Sequence, residues 1–177
     1  NVFNQTRLVE KLADESWRPS DFASPKSYSV DGMQEALNAL SRQHELVTDL
    51  DNQVAANHIE NKIRLVEVEL NKLSSGDLSA GGREVSMLKF AKSGALLDFT
   101  TLTGREEMLK LKKIQMPEAP EDPTAKAEHD KKIKEIDSQL ADIKIDKETM
   151  DKVMSSLQDA IEKTAEGKSD AYKRAFG

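Results

Sequence analysis

The sequence predicts an all-α protein: an elongated helical bundle built on an antiparallel pair of long, coiled-coil-like helices with a smaller helical insertion. The last third of the chain carries an apolar heptad repeat, which is typical of a coiled-coil helix. The composition is also typical of long helices, since 33% of residues are charged and only 5% are aromatic. All five prolines lie in two clusters: Pro19 and Pro25, then Pro117, Pro120 and Pro123. The two long segments between and after these clusters contain no proline and are therefore free to be helical.

Residues 1–30 are predicted to form an N-terminal segment with a short helix over 6–15 and an extended connector. This segment holds half of the eight aromatic residues: Phe3, Trp17, Phe22 and Tyr28. One interpretation is that these side chains anchor the segment on the bundle. The other is that Trp17, Phe22 and Tyr28 are anchors for a partner protein, because aromatic residues are enriched in interfaces. The sequence leaves both interpretations open.

Residues 31–73 are predicted to form the first long helix. Apolar residues recur every three or four positions from Met33 to Leu73, as on the buried face of an amphipathic helix. Successive steps of four at Ala55, Ile59 and Ile63 depart from a pure heptad and relax the supercoil locally. The small residues of the segment 74–76, which ends in glycine, are the expected stop signal.

Residues 74–122 are predicted to form the helical insertion and the Pro-rich linker at its end. Thr103 and Glu106 match a capping box, so we expect a second helix of the insertion to begin there and to close before Pro117. The alternation of leucine and lysine over 109–112 also allows a short strand. A first helix of the insertion has apolar residues on one face: Val85, Leu88, Ala95, Phe99 and Leu102.

Residues 123–166 are predicted to be the long heptad helix, capped by Asp122 with Pro123 in the first helical position. Gly167 is expected to end it, which leaves 167–177 as a C-terminal tail. The helix cannot bury its apolar stripe alone. It packs antiparallel on residues 31–73 or associates with another chain, and the pattern allows both. The heptad positions are Ile133, Ile136, Leu140, Ile143, Lys147, Met150, Met154, Leu157, Ile161 and Thr164.

The sequence carries no recognisable catalytic, metal or cofactor motif. It has no cysteine and only three histidines, and none of these lies in a Glu-x-x-His or His-Glu-x-x-His pattern. The net charge of −6 argues against nucleic acid as the main partner, because no basic excess is present to neutralise phosphates. No apolar run approaches the 18 residues of a transmembrane helix. We therefore expect a non-enzymatic protein with no cofactor and no metal.

Other proteins, including further copies of this chain, are the expected partners. The first candidate contacts are uncovered apolar positions of the heptad helix, namely Met150, Met154 and Leu157. The N-terminal aromatics are candidate contacts as well. A basic amphipathic helix near 105–114 is the alternative, with Lys110, Leu111, Lys112 and Lys113 as contacts to actin or to a membrane. Because Glu106 and Glu107 dilute its positive charge, a solvated helix face is expected there rather than membrane contact.

Two resemblances bear on function. The sequence Leu111-Lys112-Lys113-Ile114, which precedes a Pro-rich acidic stretch, resembles the Leu-Lys-Lys element that binds actin monomers. The layout of two long helices with a helical insertion is similar to needle-tip and translocator proteins of bacterial secretion systems. That similarity implies an exported, virulence-associated interaction protein, a component or substrate of such a system. The chain begins at Asn1 without methionine, so a mature form or a fragment is expected, and the absence of cysteine suits export.

Overall fold

The computed structural model describes residues 26–76 and 80–176, with side chains for 26–76 and 82–164, and this part of the chain is helical without strands. The predicted all-α helical class is confirmed. The described residues belong to two compact units. Among them, unit 1 comprises residues 26–76, 80–97 and 153–176, and unit 2 comprises Asp98–Lys152. The helices are α1 (Val30–Asp49), α2 (Gln53–Ser75), α3 (Ala80–Gln115) and α4 (Pro123–Phe176).

The start of α1 is held by a side-chain cap. The hydroxyl of Ser29 accepts a hydrogen bond from the backbone N–H of Gly32 at 3.0 Å, which satisfies one of the free donors of the first turn. A Cβ atom at residue 32 would clash with the carbonyl oxygen of Ser27, so glycine lets the connector fold closely over this turn. The buried residues of α1 then follow at steps of seven: Met33, Leu40 and Val47.

Residues 31–73 form two helices, so the prediction of a single long helix is wrong. Helix α1 ends at Asp49, and Asp51 takes a left-handed backbone conformation with φ 54°. The side chain of Asn52 then accepts a hydrogen bond from the N–H of Ala55 at 3.0 Å and caps α2. Aspartate and asparagine break the helix here because their short side chains bond to nearby backbone groups and tolerate the left-handed region.

Helix α2 packs on α1 and closes as predicted. Gly76 has φ 71°, the left-handed conformation that commonly follows a helix and that glycine adopts without strain. The core of unit 1 lies between these helices and the first part of α3, and it contains Tyr28, Met33, Leu40, Val47, Ala55, Ala56, Ile59, Val66, Met87 and Phe90.

Helix α3 is a single helix of 36 residues, so neither the predicted break at Thr103 nor the alternative strand over 109–112 is present. The Thr103 hydroxyl does not cap a new helix. It donates a hydrogen bond to the carbonyl of Phe99, one turn earlier, at 3.0 Å. The insertion is therefore one long helix rather than two short ones. It ends at Gln115, ahead of Pro117, as expected.

The start of α4 is confirmed, but its end is not. Asp122 Oδ2 accepts from the N–H of Ala125 at 3.1 Å, and Pro123 is the first helical residue. His129 Nε2 lies 2.9 Å from the carbonyl oxygen of Pro117, which links α4 to the connector before it. The helix continues past Gly167 to Phe176, so the predicted tail is helical. An interior glycine costs only about 1 kcal/mol, too little to stop an otherwise favourable helix.

Unit 2 is an antiparallel pair of α3 and α4. Lys147 pairs with Glu106 at 3.5 Å and Lys113 with Asp137 at 2.6 Å, so residue numbers rise on one helix as they fall on the other. The pairing partner of the heptad helix in this unit is therefore α3 rather than residues 31–73. The buried apolar residues of the unit, on α3 and then on α4, are Leu102, Leu109, Ile136 and Ile143.

Lys147, the polar residue inside the predicted heptad, has a structural role in unit 2. Its ammonium group lies 4.9 Å from the ring centroid of Phe99 and 3.5 Å from the carboxylate of Glu106. The aromatic face and the carboxylate together compensate a charge that is mostly withdrawn from water. A lysine can therefore occupy this seam position without being left unpaired.

Candidate interaction surface

The end of α3 exposes three large apolar side chains on one side of the helix. Met108 is 52% exposed, Leu111 53% and Ile114 79%, and they follow each other at steps of three. We call these three residues the α3 stripe. Leu109, one residue after Met108, is buried, which shows that α3 turns a different face to α4. The α3 stripe therefore does not take part in the packing of α3 within unit 2 and remains exposed.

Three lysines surround the α3 stripe: Lys110, Lys112 and Lys113, all exposed. Between Met108 and Met116 no acidic residue accompanies them. Positive side chains in the last turns of a helix interact favourably with its C-terminal carbonyl groups. The same lysines give the surface around the exposed apolar residues a positive charge.

Lys110 and Lys113 form intramolecular ion pairs at the surface. Lys110 Nζ lies 3.5 Å from Glu106 Oε1 and 3.9 Å from Glu107 Oε1, and Lys113 Nζ lies 2.6 Å from Asp137 Oδ1. All of these side chains except that of Glu106 are more than 40% exposed. Exposed pairs contribute only about 0–1 kcal/mol each, so the lysines can exchange these carboxylates for others at little cost.

Tyr28, one of the predicted partner anchors, lies in the core of unit 1. Its hydroxyl donates a hydrogen bond to Glu69 on α2, and its backbone carbonyl accepts one from Arg83 on α3 at 2.9 Å. Its ring packs against that of Phe90, with 6.0 Å between the ring centroids. Tyr28 is fully buried and attaches the connector to the bundle, which is the first of the two interpretations drawn from the sequence. Trp17 and Phe22 lie outside the described residues.

Burial raises the pKa of Tyr28 above its ordinary value of 10.0, and the hydrogen bond and negative charge of Glu69 raise it further. The positive charge of Arg83 and a hydrogen bond with Ser86 act in the opposite direction. The phenol is therefore protonated at neutral pH and remains a donor to Glu69. This arrangement stabilises the connector and does not activate the hydroxyl.

The three predicted contacts on α4 are half-buried. Met150 belongs to unit 2, whereas Met154 and Leu157 belong to unit 1. In unit 1, the adjacent Gln158 accepts a hydrogen bond from Lys92 of α3 at 2.6 Å. The structure therefore places these three apolar side chains partly under cover, in contrast to the exposed α3 stripe.

A buried polar group on α2 is a feature that the sequence reasoning missed. His58, Lys62 and Glu69 are all buried, with Lys62 fully inaccessible. Lys62 follows Ile59 by three residues and precedes Val66 by four, so it occupies a position of the buried face. This helical spacing is the sequence signal for the burial of Lys62. Ile63 and Leu70, which directly follow Lys62 and Glu69, also fit an apolar stripe and obscured that signal. Both are only partly buried.

Among the described residues, no group of three or more histidine or carboxylate side chains is arranged to hold a metal ion. None of the helices in the same part of the chain is both long enough and apolar enough to cross a membrane. No protein-family model matches this chain, and no curated protein or solved structure is significantly similar to it. The candidate surface therefore rests on the geometry and chemistry of its own residues.

Proposed function

We propose that this chain is a non-enzymatic helical interaction protein that binds other proteins through the α3 stripe. The observation that carries the proposal is the exposure of Met108, Leu111 and Ile114 on consecutive steps of one helix. Contiguous exposed apolar side chains rimmed by polar groups are typical of binding sites. A helix that offers anchors at such spacing can lie in an apolar groove or pair with an apolar helix.

Photo-crosslinking tests this proposal directly. A photoreactive phenylalanine analogue is placed at Leu111, at Ile114 or at Lys131, an exposed control position on α4. The full chain is irradiated in an extract of its source cells. We expect the same crosslinked protein from the two stripe positions and none from the control. Absence of crosslinks at both stripe positions, or an identical pattern at all three, would contradict the proposal.

A second variant tests the energetic importance of the α3 stripe. Leu111→Asp places a charge in the centre of the surface, and a central contact of this kind is typically worth about 2 kcal/mol, or roughly a thirtyfold change in affinity. Because Leu111 is exposed, the same change should leave the free energy of unfolding almost unaltered. Binding that survives Leu111→Asp would show that the partner uses another surface.

Actin is the second candidate partner. The exposure of Leu111 and Ile114 beside Lys112 and Lys113 favours it, because the residues that resemble the Leu-Lys-Lys element are accessible. The intact chain should then bind purified monomeric actin in sedimentation velocity experiments, and Leu111→Ala should weaken this binding. If the intact chain and actin sediment independently, this candidate is wrong, while the general proposal remains testable by crosslinking.

A more specific form of the proposal is that the protein is a component or substrate of a bacterial secretion system. Its support is the all-helical layout with two long helices, by analogy of architecture alone, although these are α3 and α4, which follow each other in the chain, and not two helices that flank an insertion. An export assay tests it. The protein should accumulate in the culture medium of its source strain, and this accumulation should stop when the secretion apparatus is inactivated. Retention inside the cell in both strains would contradict export.

A further inference from the structure

The turn between α1 and α2 in unit 1 carries a second exposed apolar surface. Leu46, in the last turn of α1, is 46% exposed, and Leu50, the C-cap residue four positions later, is 55% exposed. Val54, in the first turn of α2, is 38% exposed. We call residues 45–54 the acidic tip, because the charged side chains around these three residues are all negative.

The charge of the acidic tip comes from Glu45, Asp49 and Asp51, all of them exposed. No lysine or arginine occurs between Arg42 and Lys62, and the last turn of α1 contains no basic residue. The C-terminus of α1 adds the partial negative charge of its terminal carbonyl groups. The tip therefore combines apolar side chains with a concentrated negative potential, which suits a basic and apolar partner.

The backbone of the acidic tip is held in one shape. The N–H of Asp51 donates to the carbonyl of Thr48 at 2.9 Å, and that of Asn52 donates to Val47 at 3.1 Å. One turn back along α1, His44 Nε2 lies 2.9 Å from Glu60 Oε1 and links the two helices. A surface fixed by such bonds loses little conformational freedom on binding.

We propose that the acidic tip of one copy of this chain docks on the α3 stripe of a second copy. The inference rests on the proposed function of the α3 stripe and names its partner. Both surfaces expose three large apolar side chains, and their charges are opposite: Glu45, Asp49 and Asp51 on the tip, against Lys110, Lys112 and Lys113 on α3. Complementary charge of this kind steers the encounter and selects the orientation.

The charges also select between modes of self-association. A two-fold dimer formed through the α3 stripe alone would bring the lysines of both copies together, and one formed through the tip alone would bring the carboxylates together. Contact between unlike surfaces avoids both repulsions. Such a contact is head-to-tail, so a dimer retains one unused surface of each kind, a free tip on one copy and a free α3 stripe on the other. The association should therefore extend beyond a dimer as concentration rises.

Sedimentation velocity of the full chain tests the proposal. The mass-average size should rise with protein concentration and should fall when the salt concentration is raised, because salt screens the exposed charges. Leu50→Asp disables the tip and Leu111→Asp disables the α3 stripe, and each should weaken self-association by roughly thirtyfold. Val68→Asp, at an exposed apolar residue of α2 outside both surfaces, is the matched control and should associate like the wild type. Circular dichroism confirms that each variant is folded.

Mixing the two disabled variants gives the decisive result. Leu50→Asp keeps an intact α3 stripe, and Leu111→Asp keeps an intact tip. Each variant alone should be monomeric, while an equimolar mixture should form a dimer with one copy of each. A mixture that stays monomeric, or a Leu50→Asp variant that still self-associates alone, would overturn the inference.

The outcome for the wild type separates this inference from the proposed function. A wild-type chain that is monomeric up to the highest soluble concentration overturns the inference. If Leu111 then still crosslinks a different protein, only the identity of the partner is wrong. If it also crosslinks nothing, the proposed function fails as well.

Discussion

Removal of the Tyr28 hydroxyl should destabilise the attachment of the connector to unit 1. Tyr28→Phe keeps the ring that packs on Phe90 and deletes only the donor to Glu69. A hydrogen bond to a charged group contributes about 1.5–3 kcal/mol. Glu69 is itself buried and also pairs with Lys72 at a longer distance of 3.6 Å, so water cannot replace the lost donor fully. We expect the free energy of unfolding to fall by about 2 kcal/mol.

Urea denaturation followed by far-ultraviolet circular dichroism measures this loss. With a slope of about 2 kcal/mol per molar urea, the midpoint should fall by roughly 1 M. A double-mutant cycle with Glu69→Gln isolates the contact, and the effect of Tyr28→Phe should shrink by at least about 1 kcal/mol in that background. An unchanged midpoint, or an equal loss in both backgrounds, would refute the assignment of this energy to the pair.

The same pair predicts a dependence of stability on alkaline pH. The pKa of Tyr28 is raised in the folded state, chiefly by burial and then by Glu69, so folding favours the protonated phenol. Its stabilisation is complete below the unfolded pKa of about 10 and is lost as pH rises above that value. Between pH 9 and pH 11, the wild type should therefore lose more unfolding free energy than Tyr28→Phe. Parallel pH profiles for the two proteins would contradict this prediction.

Two further substitutions test local features by the same urea assay. Asn52→Ala removes the side-chain cap of α2 and should lower the free energy of unfolding by about 1 kcal/mol. Asn52→Asp keeps a capping side chain and should retain most of the stability. Equal stability of the wild type and both variants would show that the cap is unimportant. Lys147→Ala removes the contacts with Glu106 and Phe99 in unit 2 and should lower the free energy of unfolding by about 1.5 kcal/mol. Lys147→Arg keeps the positive charge and should lower it less. An alanine variant as stable as the wild type would argue against both contacts.

The sequence predicts two helix boundaries of this protein correctly from local residues, although α4 continues past Gly167, the glycine expected to end it. Gly76 ends α2, and Asp122 with Pro123 begins α4, because a left-handed glycine and a capped proline depend only on local backbone geometry. Thr103 shows the limit of such reasoning. Its hydroxyl had a capping role available, but it bonds back to Phe99 instead, since the helix on either side is already continuous and packed.

The turn after Asp49 was missed for a different reason. Apolar residues continue at helical spacing through Leu50 and Val54, so the periodicity alone predicts an uninterrupted helix. The opposing signal was the polar pair Asp51 and Asn52, which contains neither glycine nor proline and carries little weight on its own. Antiparallel packing of α1 on α2 decides the outcome, and packing between distant residues cannot be read from a local pattern.

The pattern of a basic amphipathic helix predicts Leu111 and its neighbouring lysines as a candidate contact. The same pattern does not predict that the α3 stripe stays exposed while Leu109 is buried, because this depends on which face α3 turns to α4. Tyr28 shows the converse. An aromatic residue in a polar segment has the same appearance in the sequence whether it binds a partner or anchors its own chain, and only its burial beside Glu69 distinguishes the two.

The acidic tip combines two features that lower the stability of a helix end. Asp49 is the last residue of α1, where a negative charge interacts unfavourably with the terminal carbonyl groups, and Leu50 beside it is exposed to water. Asp49→Lys should therefore raise the free energy of unfolding by about 0.5 kcal/mol.

Asp49→Lys should also weaken self-association, because it reverses a charge that faces lysines on the second copy. A variant that is more stable and associates normally would show that the tip charges have no part in binding. A variant that associates poorly without any gain in stability would show that the α1 terminus already tolerates its negative charge.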